Sequence, residues 1–373
     1  MQPATYKARM SNLRRRLASS RQPPYDSAWI IQPENRRYLS GFEAEDSQFT
    51  ESSGSLFIAG DRCLLVTDSR YTTEAENEAI GFTVYTVEKS LVQDLPHVMA
   101  QLDNGVMGFE QGYVTWQLHR EVSEKLSESA IPVTLEPLHD MVEEMRVVKD
   151  REEVNAIEAS ARMMSEILGR VIPALEPGRT EADVAWSIRN LAREAGADDL
   201  SFPSIVASGP NSALPHAVPT ERRLQAGEPI VLDVGVRLKG YCSDMTRTVF
   251  LGEPSSEFRT VYKTVREAQL AGMAKIRPGV ESTRPDAVAR EVIADAGYGA
   301  FFGHSLGHGV GLATHERPRL GPQKPVELKK GMVMTVEPGI YLPGKGGVRL
   351  EEMVVVEEDG ARLLTSNRDF YDF

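Results

Sequence analysis

Asp233 and Asp244 stand eleven positions apart in the sequence, each beside strand-like residues. Asp233 follows the apolar, β-branched-rich run Ile230-Val231-Leu232, and a second strand-like run begins at Thr246. Leu238-Lys239-Gly240 predicts a turn between them, so we expect a hairpin with one carboxylate on each arm. Two carboxylates that face each other in a setting of low polarity repel unless a proton or a cation lies between them.

A second acidic hairpin is predicted over residues 332–356. Glu337 lies on its first arm, and the pair Glu351-Glu352 lies on its second arm. Pro338 favours extended backbone at Glu337, because a residue before proline is disfavoured in a helix. Glu351 and Glu352, taken alone, could equally be a solvated pair.

The glycine-rich segment 303–311 lies between the two hairpins and contains His304 and His308. Their i, i+4 spacing would suit a zinc-binding helix. Glycine is a poor helix former, however, and no glutamate follows His304, so we reject that interpretation.

Five residues then form one candidate site, four of them carboxylates and one an imidazole: Asp233, Asp244, His308, Glu337 and Glu351. Oxygen-rich sites with one nitrogen suit Mn²⁺, Co²⁺, Fe²⁺ or Zn²⁺ better than a thiolate-bound zinc. Four negative charges could balance two divalent cations, which is the composition of a hydrolytic two-metal centre. Each residue alone favours a structural interpretation, and the hypothesis depends on all five occurring in order.

Strands alternate with helices over the first part of the chain, which predicts a compact α/β domain without a catalytic constellation. Residues 139–150 are charged and lack strand signals, so we place domains at 1–140 and 141–373. Predicted helices are 6–17, 70–79, 91–102 and 114–127, with a helical turn at 35–42; predicted strands are 27–31, 55–58, 63–67, 83–87, 106–109 and 131–135.

The second domain is predicted to repeat one order of elements. Apolar residues at a helical period predict a helix over 152–171, and Thr180 caps a second helix that ends at Ala195. Further helices are predicted over 258–276 and 284–295. The order helix, helix, acidic hairpin therefore occurs twice, as in an internal duplication with two-fold pseudo-symmetry.

Composition limits the class of protein. The chain has 373 residues, a net charge of −12, 41% hydrophobic and 26% charged residues, typical of a globular protein with two domains. The acidic balance argues against nucleic acid and anionic membranes as partners. No apolar run could span a bilayer and no secretory signal is recognisable, so we expect a cytoplasmic protein. Cys63 and Cys242 are expected to be free thiols.

Four motifs together resemble the proline-specific branch of the pita-bread metallopeptidases, Xaa-Pro aminopeptidase and Xaa-Pro dipeptidase (prolidase): DVGVRLKGYCSDMTRT, GHSLGHGVGLATHE, TVEPGIY and VRLEE. NRRYLSGF and DSRY resemble the N-terminal domain of that family, and MRVVKDREEV resembles its junction. The resemblance implies an α/β N-terminal domain of the creatinase/prolidase type. It also implies an α+β pita-bread catalytic domain with pseudo-two-fold symmetry.

The same resemblance implies a role for each candidate residue. Asp233 would bind one metal ion, Asp244 and Glu351 would bridge both, and His308 and Glu337 would complete the second. Glu337 would also shuttle a proton. The other implied catalytic residues are three histidines that hold the substrate and stabilise the tetrahedral intermediate, and an arginine that pairs with a ligand carboxylate: His216, His304, His315 and Arg349. The neighbours of His315, which are Ala313, Thr314 and Arg317, are less usual.

The implied activity is removal of an N-terminal residue that precedes proline, with two divalent ions, Mn²⁺ first among them. Peptides with proline at the second position would be the substrates, and the resemblance implies a homodimer. The alternative with the same chemistry is a prolidase restricted to dipeptides. Creatinase-like enzymes and metal-free peptide-binding modules are more distant alternatives, disfavoured by the intact ligand set. The N-terminal domain disfavours a methionine aminopeptidase.

Overall fold

The computed structural model describes residues 1–20, 22–44, 46, 52–102, 105–367 and 370–371. The chain divides into two compact units, Met1–Arg146 and Val147–Phe373.

The first unit is a mixed sheet with helices. Its helices are α1 (Pro3–Ser19), α2 (Pro33–Ser40), α3 (Thr72–Glu78), α4 (Leu91–Met99), α5 (Trp116–Glu128) and α6 (Met141–Arg146). Its strands are β1 (Ser27–Ile30), β2 (Ser55–Ala59), β3 (Arg62–Thr67), β4 (Thr83–Thr86), β5 (Val106–Phe109) and β6 (Thr134–Pro137). They pair in the order β4-β3-β2-β1-β5-β6. The contacts of β2 are antiparallel, and the others are parallel. The predicted α/β character is confirmed.

Helix α6 belongs to the first unit, so the structural division follows Arg146 rather than residue 140. The Arg146 guanidinium donates a hydrogen bond of 2.7 Å to Oδ1 of Asn35, and the Tyr38 hydroxyl donates to the Met145 carbonyl at 3.2 Å. The side chain of Met141 is also buried. Part of the charged stretch at which we placed the domain boundary is therefore a packed helix, Met141–Arg146.

The second unit consists of helices and short strands. Its helices are α7 (Arg151–Val171), α8 (Glu181–Glu194), α9 (Ser256–Met273) and α10 (Thr283–Asp295). Its strands are β7 (Asp199–Leu200), β8 (Ile205–Ser208), β9 (Pro229–Val234), β10 (Val236–Leu238), β11 (Tyr241–Cys242), β12 (Met245–Phe250), β13 (Gly307–Gly309), β14 (Glu316–Leu320), β15 (Val333–Val336), β16 (Gly339–Leu342), β17 (Gly346–Arg349), β18 (Glu352–Glu357) and β19 (Gly360–Leu363). Thr180 caps α8 as predicted, with its hydroxyl 3.0 Å from the Asp183 N–H.

Both predicted hairpins are present, and each is interrupted part-way along. In the first, β9 pairs with β12 and β10 pairs with β11, with a break beside Gly235. A Cβ atom on Gly235 would lie 2.0 Å from the Ser243 carbonyl oxygen, so only glycine fits there. Lys239 and Gly240 form the turn with φ of 50° and 77°, as a two-residue type I′ turn requires. In the second hairpin, β15 pairs with β18 and β16 with β17.

Two large apolar cores lie in the described part of the second unit, and they divide along the sequence. Buried side chains from Met164 to Val249 form one core, which includes α7, α8 and β9. Buried side chains from Phe250 to Val356 form the other, which includes α9, α10 and β15. The order helix, helix, hairpin thus recurs with a core of its own each time, in agreement with the predicted duplication.

Cys63 and Cys242 are buried free thiols, as predicted. Among the described residues, every helix is too short or too polar to cross a membrane.

Candidate metal centre

The four candidate carboxylates lie where the two hairpins are interrupted. Asp233 is the next-to-last residue of β9, and Asp244 directly precedes β12. Glu337 directly follows β15, and Glu351 directly precedes β18. The two interruptions therefore present two carboxylates each.

These side chains converge with His308, which lies on β13. Asp244, His308 and Glu351 each offer one ligand atom, and these atoms lie within 4.8 Å of one another. Nε2 of His308 is 3.3 Å from Oε1 of Glu337 and 3.6 Å from Oδ2 of Asp244. The charge of Asp233 raises the pKa values of Asp244, Glu337 and Glu351, so it faces the same space.

The ring of His308 has a defined tautomer. Its Nδ1 lies 3.0 Å from the Gly309 carbonyl oxygen, and a carbonyl only accepts, so Nδ1 carries the proton. Nε2 then carries a lone pair, which faces carboxylate oxygens. Burial, aided by His315, lowers the pKa of His308 to about 4. A neutral imidazole aimed at carboxylates is the ligand arrangement that a cation between them would satisfy.

Burial and mutual repulsion strain the carboxylates when they are ionised. Burial is the main reason that the pKa of Asp244 lies well above its usual range, and Glu351, Asp233 and Glu337 add to the effect. Burial also raises the pKa of Glu337 to about 8. The pKa of Glu351 is raised by burial first and then by Glu337 and Asp233. The cluster therefore holds its full charge only if cations compensate it.

Two carboxylate oxygens of the cluster are available to bind such cations. Asp233 Oδ1 and Glu351 Oε1 are buried without a hydrogen-bond partner in the described part of the chain. Their sister oxygens are engaged, because Arg349 donates to Asp233 Oδ2 at 2.6 Å and the Thr246 hydroxyl donates to Glu351 Oε2 at 2.8 Å. A buried oxygen without a partner is costly. The donor set of four carboxylates and one imidazole thus fits divalent cations.

Arg349 holds several of these groups at once. Besides Asp233, its guanidinium donates to the Thr246 hydroxyl at 3.2 Å, the Tyr341 hydroxyl at 2.8 Å and the Pro215 carbonyl at 3.2 Å. Burial alone would lower the pKa of Arg349, but Tyr341, Asp233 and nearby Glu337 hold that pKa well above its usual value. Arg349 is therefore a permanent buried cation.

Tyr341 is a site residue that the sequence prediction missed. Its hydroxyl accepts from Arg349 and lies 2.9 Å from Nε2 of His304, whose Nδ1 donates to the Ser305 carbonyl at 2.9 Å. Tyr341 must then donate to Nε2, so both nitrogens of His304 are engaged. Burial lowers the pKa of His304 to about 4 and raises that of Tyr341 to about 12. The sequence feature that could have indicated Tyr341 is its position at the end of the motif TVEPGIY, four residues after Glu337.

His216 and His315 are exposed and border the same cluster. The ring of His315 stands edge-on to that of His308, with centroids 4.3 Å apart and an interplanar angle of 85°. Burial of part of its ring, and then the charge of His216, lower the pKa of His315. His216 follows the loop carbonyl of Pro215 that Arg349 binds, and its charge also lowers the pKa of His304. The structure thus brings the three predicted non-ligand histidines to one site.

Carboxylates from two interrupted hairpins that converge with the His308 imidazole on β13 define the site of a metal-dependent hydrolase. Residues 155–358 match metallopeptidase family M24, and residues 9–148 match the creatinase/prolidase N-terminal domain. The chain is 38% identical over 340 residues to the peptidase YqhT of Bacillus subtilis, which covers 91% of this chain and 93% of that protein. The chain belongs to metallopeptidase family M24, and the predicted resemblance is confirmed.

Solved structures of the family share the fold. An Xaa-Pro dipeptidase from Bacillus anthracis matches with a TM-score of 0.89 and 33% identity, over 97% of this chain and 98% of the other. An X-Pro aminopeptidase from Thermotoga maritima matches with a TM-score of 0.82 and 36% identity, over 92% and 96%. The chain therefore consists of a creatinase-type N-terminal domain and a pita-bread catalytic domain, as predicted.

Proposed function

We propose that this chain is a dinuclear metal-dependent exopeptidase that hydrolyses the bond between an N-terminal residue and a following proline. The observation that carries the proposal is the carboxylate cluster with two buried oxygens that have no partner among the described residues. The names of the similar structures, one an Xaa-Pro dipeptidase and one an X-Pro aminopeptidase, support the choice of bond.

The residues that would hold two divalent ions are the five predicted ligands, with Asp244 and Glu351 as the bridging pair: Asp233, Asp244, His308, Glu337 and Glu351. When bound, the ions would supply Lewis acidity, which acidifies a water molecule and polarises the scissile carbonyl. Mn²⁺ is our first choice, because carboxylate oxygens dominate the donor set.

Glu337 is proposed to move the proton. Its Oε1 accepts from the Thr335 hydroxyl at 3.2 Å, which leaves the remaining lone pairs of the carboxylate for exchange. The carboxylate takes a proton from the attacking water and delivers it to the proline nitrogen as the bond breaks. The Xaa-Pro nitrogen has no N–H, so this delivered proton is what makes it a leaving group.

The histidines and Arg349 are proposed to orient the reaction. His315 is exposed beside His308 and can donate to the carbonyl oxygen as negative charge develops there. His216, which follows the Pro215 carbonyl that Arg349 binds, would contact the substrate. His304 would act through Tyr341, because both of its nitrogens are already engaged. Arg349 keeps the Asp233 carboxylate oriented.

A dipeptidase is the second candidate, favoured by the likeness to the Bacillus anthracis Xaa-Pro dipeptidase. We keep aminopeptidase as the first proposal, and a homodimer is part of it. Loops of a partner subunit that closed the pocket beyond proline would favour the dipeptidase instead. The test compares Ala-Pro with Ala-Pro-Ala after Mn²⁺ reconstitution, with Ala-Ala-Ala and the Asp244→Ala variant as controls. Cleavage of Ala-Pro alone selects the dipeptidase. No Mn²⁺-dependent cleavage of either peptide refutes both.

A further inference from the structure

Lys149 and Glu316 form a buried ion pair near the start of the second unit. Nζ of Lys149 lies 2.9 Å from Oε2 of Glu316, and the two side chains are only 1% and 6% exposed. The same ammonium lies 3.5 Å from the Val147 carbonyl oxygen. Burial of two charges costs much of what their attraction supplies, so such a pair is better explained by what it holds in place than by stability.

Glu316 closes the segment that carries His315, residues 311–316, which we call the His315 loop. Its Oε1 accepts from the Ala313 N–H at 3.0 Å, and the Gly311 N–H donates to the Ala313 carbonyl at 3.0 Å. A Cβ atom on Gly311 would lie 2.6 Å from Oε2 of Glu316. The carboxylate of Glu316 therefore fills the inside of the loop, with one oxygen on the loop backbone and the other on Lys149.

Lys149 is itself fixed to the strand that leads to Glu337. Its N–H donates to the Gly331 carbonyl at 2.9 Å, and the adjacent residue Val148 forms a bridge with Met332. Strand β15 begins immediately afterwards and ends next to Glu337. Lys149 thus joins the start of a ligand-bearing strand to the His315 loop.

The loop also contacts the imidazole ligand. The ring of His315 stands edge-on to that of His308 at a centroid separation of 4.3 Å. On the far side, the Thr314 hydroxyl donates to the Ser201 carbonyl at 3.0 Å. A shift of this loop would consequently displace His315 and disturb the orientation of His308.

We propose that Lys149 and Glu316 are positioning residues for the peptidase reaction. Together they hold the His315 loop so that the imidazole of His315 stays edge-on to His308 beside the carboxylate cluster. The catalytic part of this inference rests on the proposed function, whereas the loop geometry does not.

Three variants separate the charges of the pair. Lys149→Met leaves the Glu316 carboxylate buried without its cation. Lys149→Arg keeps a cation in place. The double variant Lys149→Met/Glu316→Gln removes both charges, and its amide oxygen can still accept from Ala313, so it remains informative if Lys149→Met fails to fold. Lys345→Met is the matched control, because Lys345 pairs with Glu257 at 2.7 Å with both side chains exposed.

Amide hydrogen exchange of the His315 loop in the full chain is the readout that needs no activity. Relative to wild type, we expect faster exchange across residues 311–316 in Lys149→Met and in the double variant, and unchanged exchange in Lys149→Arg and Lys345→Met. With Mn²⁺ and Ala-Pro peptides, we expect Lys149→Met to lower kcat by roughly 10²-fold, as a misplacement of about 1 Å can do, with a smaller change in KM. Lys149→Arg should recover most of that loss.

A double-mutant cycle with His315→Ala distinguishes positioning from general stability. If the pair acts through His315, His315→Ala costs much less kcat in the Lys149→Met background than in wild type. Equal costs in both backgrounds, or wild-type exchange and kcat in the double variant, would overturn the proposal. A wild-type chain that cleaves no Xaa-Pro substrate refutes the proposed function instead, and the exchange data still decide whether the pair holds the loop.

Discussion

Arg349 donates to one oxygen of Asp233 at 2.6 Å and leaves the other oxygen of that carboxylate buried without a partner among the described residues. One side of the carboxylate is thus fixed by a permanent cation, and the other side is presented to the centre of the cluster. This division explains how the Asp233 carboxylate can be both held in place and available to an ion.

Replacement of Arg349 by methionine should weaken Mn²⁺ binding by about 10- to 100-fold, because the partner of a ligand carboxylate is lost. It should also lower the free energy of unfolding by about 3–5 kcal/mol, since Asp233 is left buried without its cation. Calorimetric Mn²⁺ titration and thermal unfolding measure the two effects. Arg362→Met, which breaks partly exposed ion pairs with Glu357 and Glu158, should change stability by no more than about 1 kcal/mol per pair. Unchanged Mn²⁺ affinity in Arg349→Met would show that Asp233 is held by something else.

Tyr341→Phe should reduce kcat by at least about 10-fold while Mn²⁺ stoichiometry stays the same, since tyrosine orients His304 and binds no ion in our proposal. Loss of the hydroxyl removes one of the four partners of Arg349 and leaves Nε2 of His304 without its hydrogen bond, at a cost of about 1–3 kcal/mol in stability. Steady-state kinetics and metal analysis test this together. Tyr85→Phe, in edge strand β4, serves as the control and should match wild type. A Tyr341→Phe enzyme with wild-type kcat would remove His304 from the reaction.

The stability of the metal-free protein should depend on pH through Glu337. Its pKa is raised to about 8 in the folded chain, so the folded state holds a proton that the unfolded state releases near its usual pKa of 4.5. The stabilisation present at low pH is then lost as pH rises from about 4.5 to about 8, by on the order of 4 kcal/mol. Ions that replace the proton should reverse this slope, because ligands must deprotonate to bind them. Urea unfolding across this range, with and without Mn²⁺, measures both slopes; equal slopes would contradict the assignment.

Glu110, in the first unit, should make the stability of the protein depend on pH in a way that bound metal does not change. Burial raises its pKa to about 7, although its carboxylate accepts from the backbone N–H groups of Ile31 at 2.6 Å and Gln32 at 2.7 Å. Its contribution to stability is present below about pH 4.5 and is lost as pH rises to about 7. We expect Glu110→Gln to remove that part of the pH dependence whether or not Mn²⁺ is present. A change in the slope only with Mn²⁺ would mean that Glu110 responds to the metal centre.

Gly235→Ala should disrupt the first hairpin. The added Cβ atom would lie 2.0 Å from the backbone carbonyl oxygen of Ser243, and the backbone can move aside only at a high energetic cost. We therefore expect the free energy of unfolding to fall by at least about 1–3 kcal/mol. We also expect weaker Mn²⁺ binding. Gly169→Ala is the contrasting control. Gly169 lies within α7 with open space around its Cβ position, and alanine there should stabilise the protein by about 0.5–1 kcal/mol. Thermal unfolding of both variants decides the comparison, and equal stabilities would refute the steric argument.

Local patterns were sufficient for the hairpins and caps, because strand period, turn residues and capping residues act within a few positions. Where pairing between distant segments determines the bounds of a strand, the predicted bounds were shifted or the strand was not predicted. The strand expected over residues 131–135 is β6, Thr134–Pro137, because its register with β5 begins at Thr134 and Ile131 is used in a turn. Strand β13 was not predicted, because glycine is uncommon in strands and its glycines are explained only by close contacts with segments distant in the sequence. A Cβ on Gly307 would lie 2.0 Å from the Thr335 carbonyl oxygen.

The candidate ligands were predictable because each stands beside a recognisable strand or turn in a familiar motif. Tyr341 was not, since a lone tyrosine in a strand resembles an ordinary core residue. The pair Lys149–Glu316 spans 167 positions, and a lysine beside a domain junction carries no local sign of burial. Long-range ion pairs of this kind are set by packing and can be found only in the folded chain.

The two apolar cores of the second unit divide between Val249 and Phe250, and so do the ligands. Asp233 and Asp244 come from the half before that point, and His308, Glu337 and Glu351 come from the half after it. Bound ions would therefore add a link between two halves that already share direct hydrogen bonds, such as those from Arg349 to Asp233 and from Thr246 to Glu351. A chain cut in the loop that connects β12 to α9 should yield fragments that bind each other more tightly when Mn²⁺ is present, and the metal would then contribute to assembly as well as to the proposed reaction.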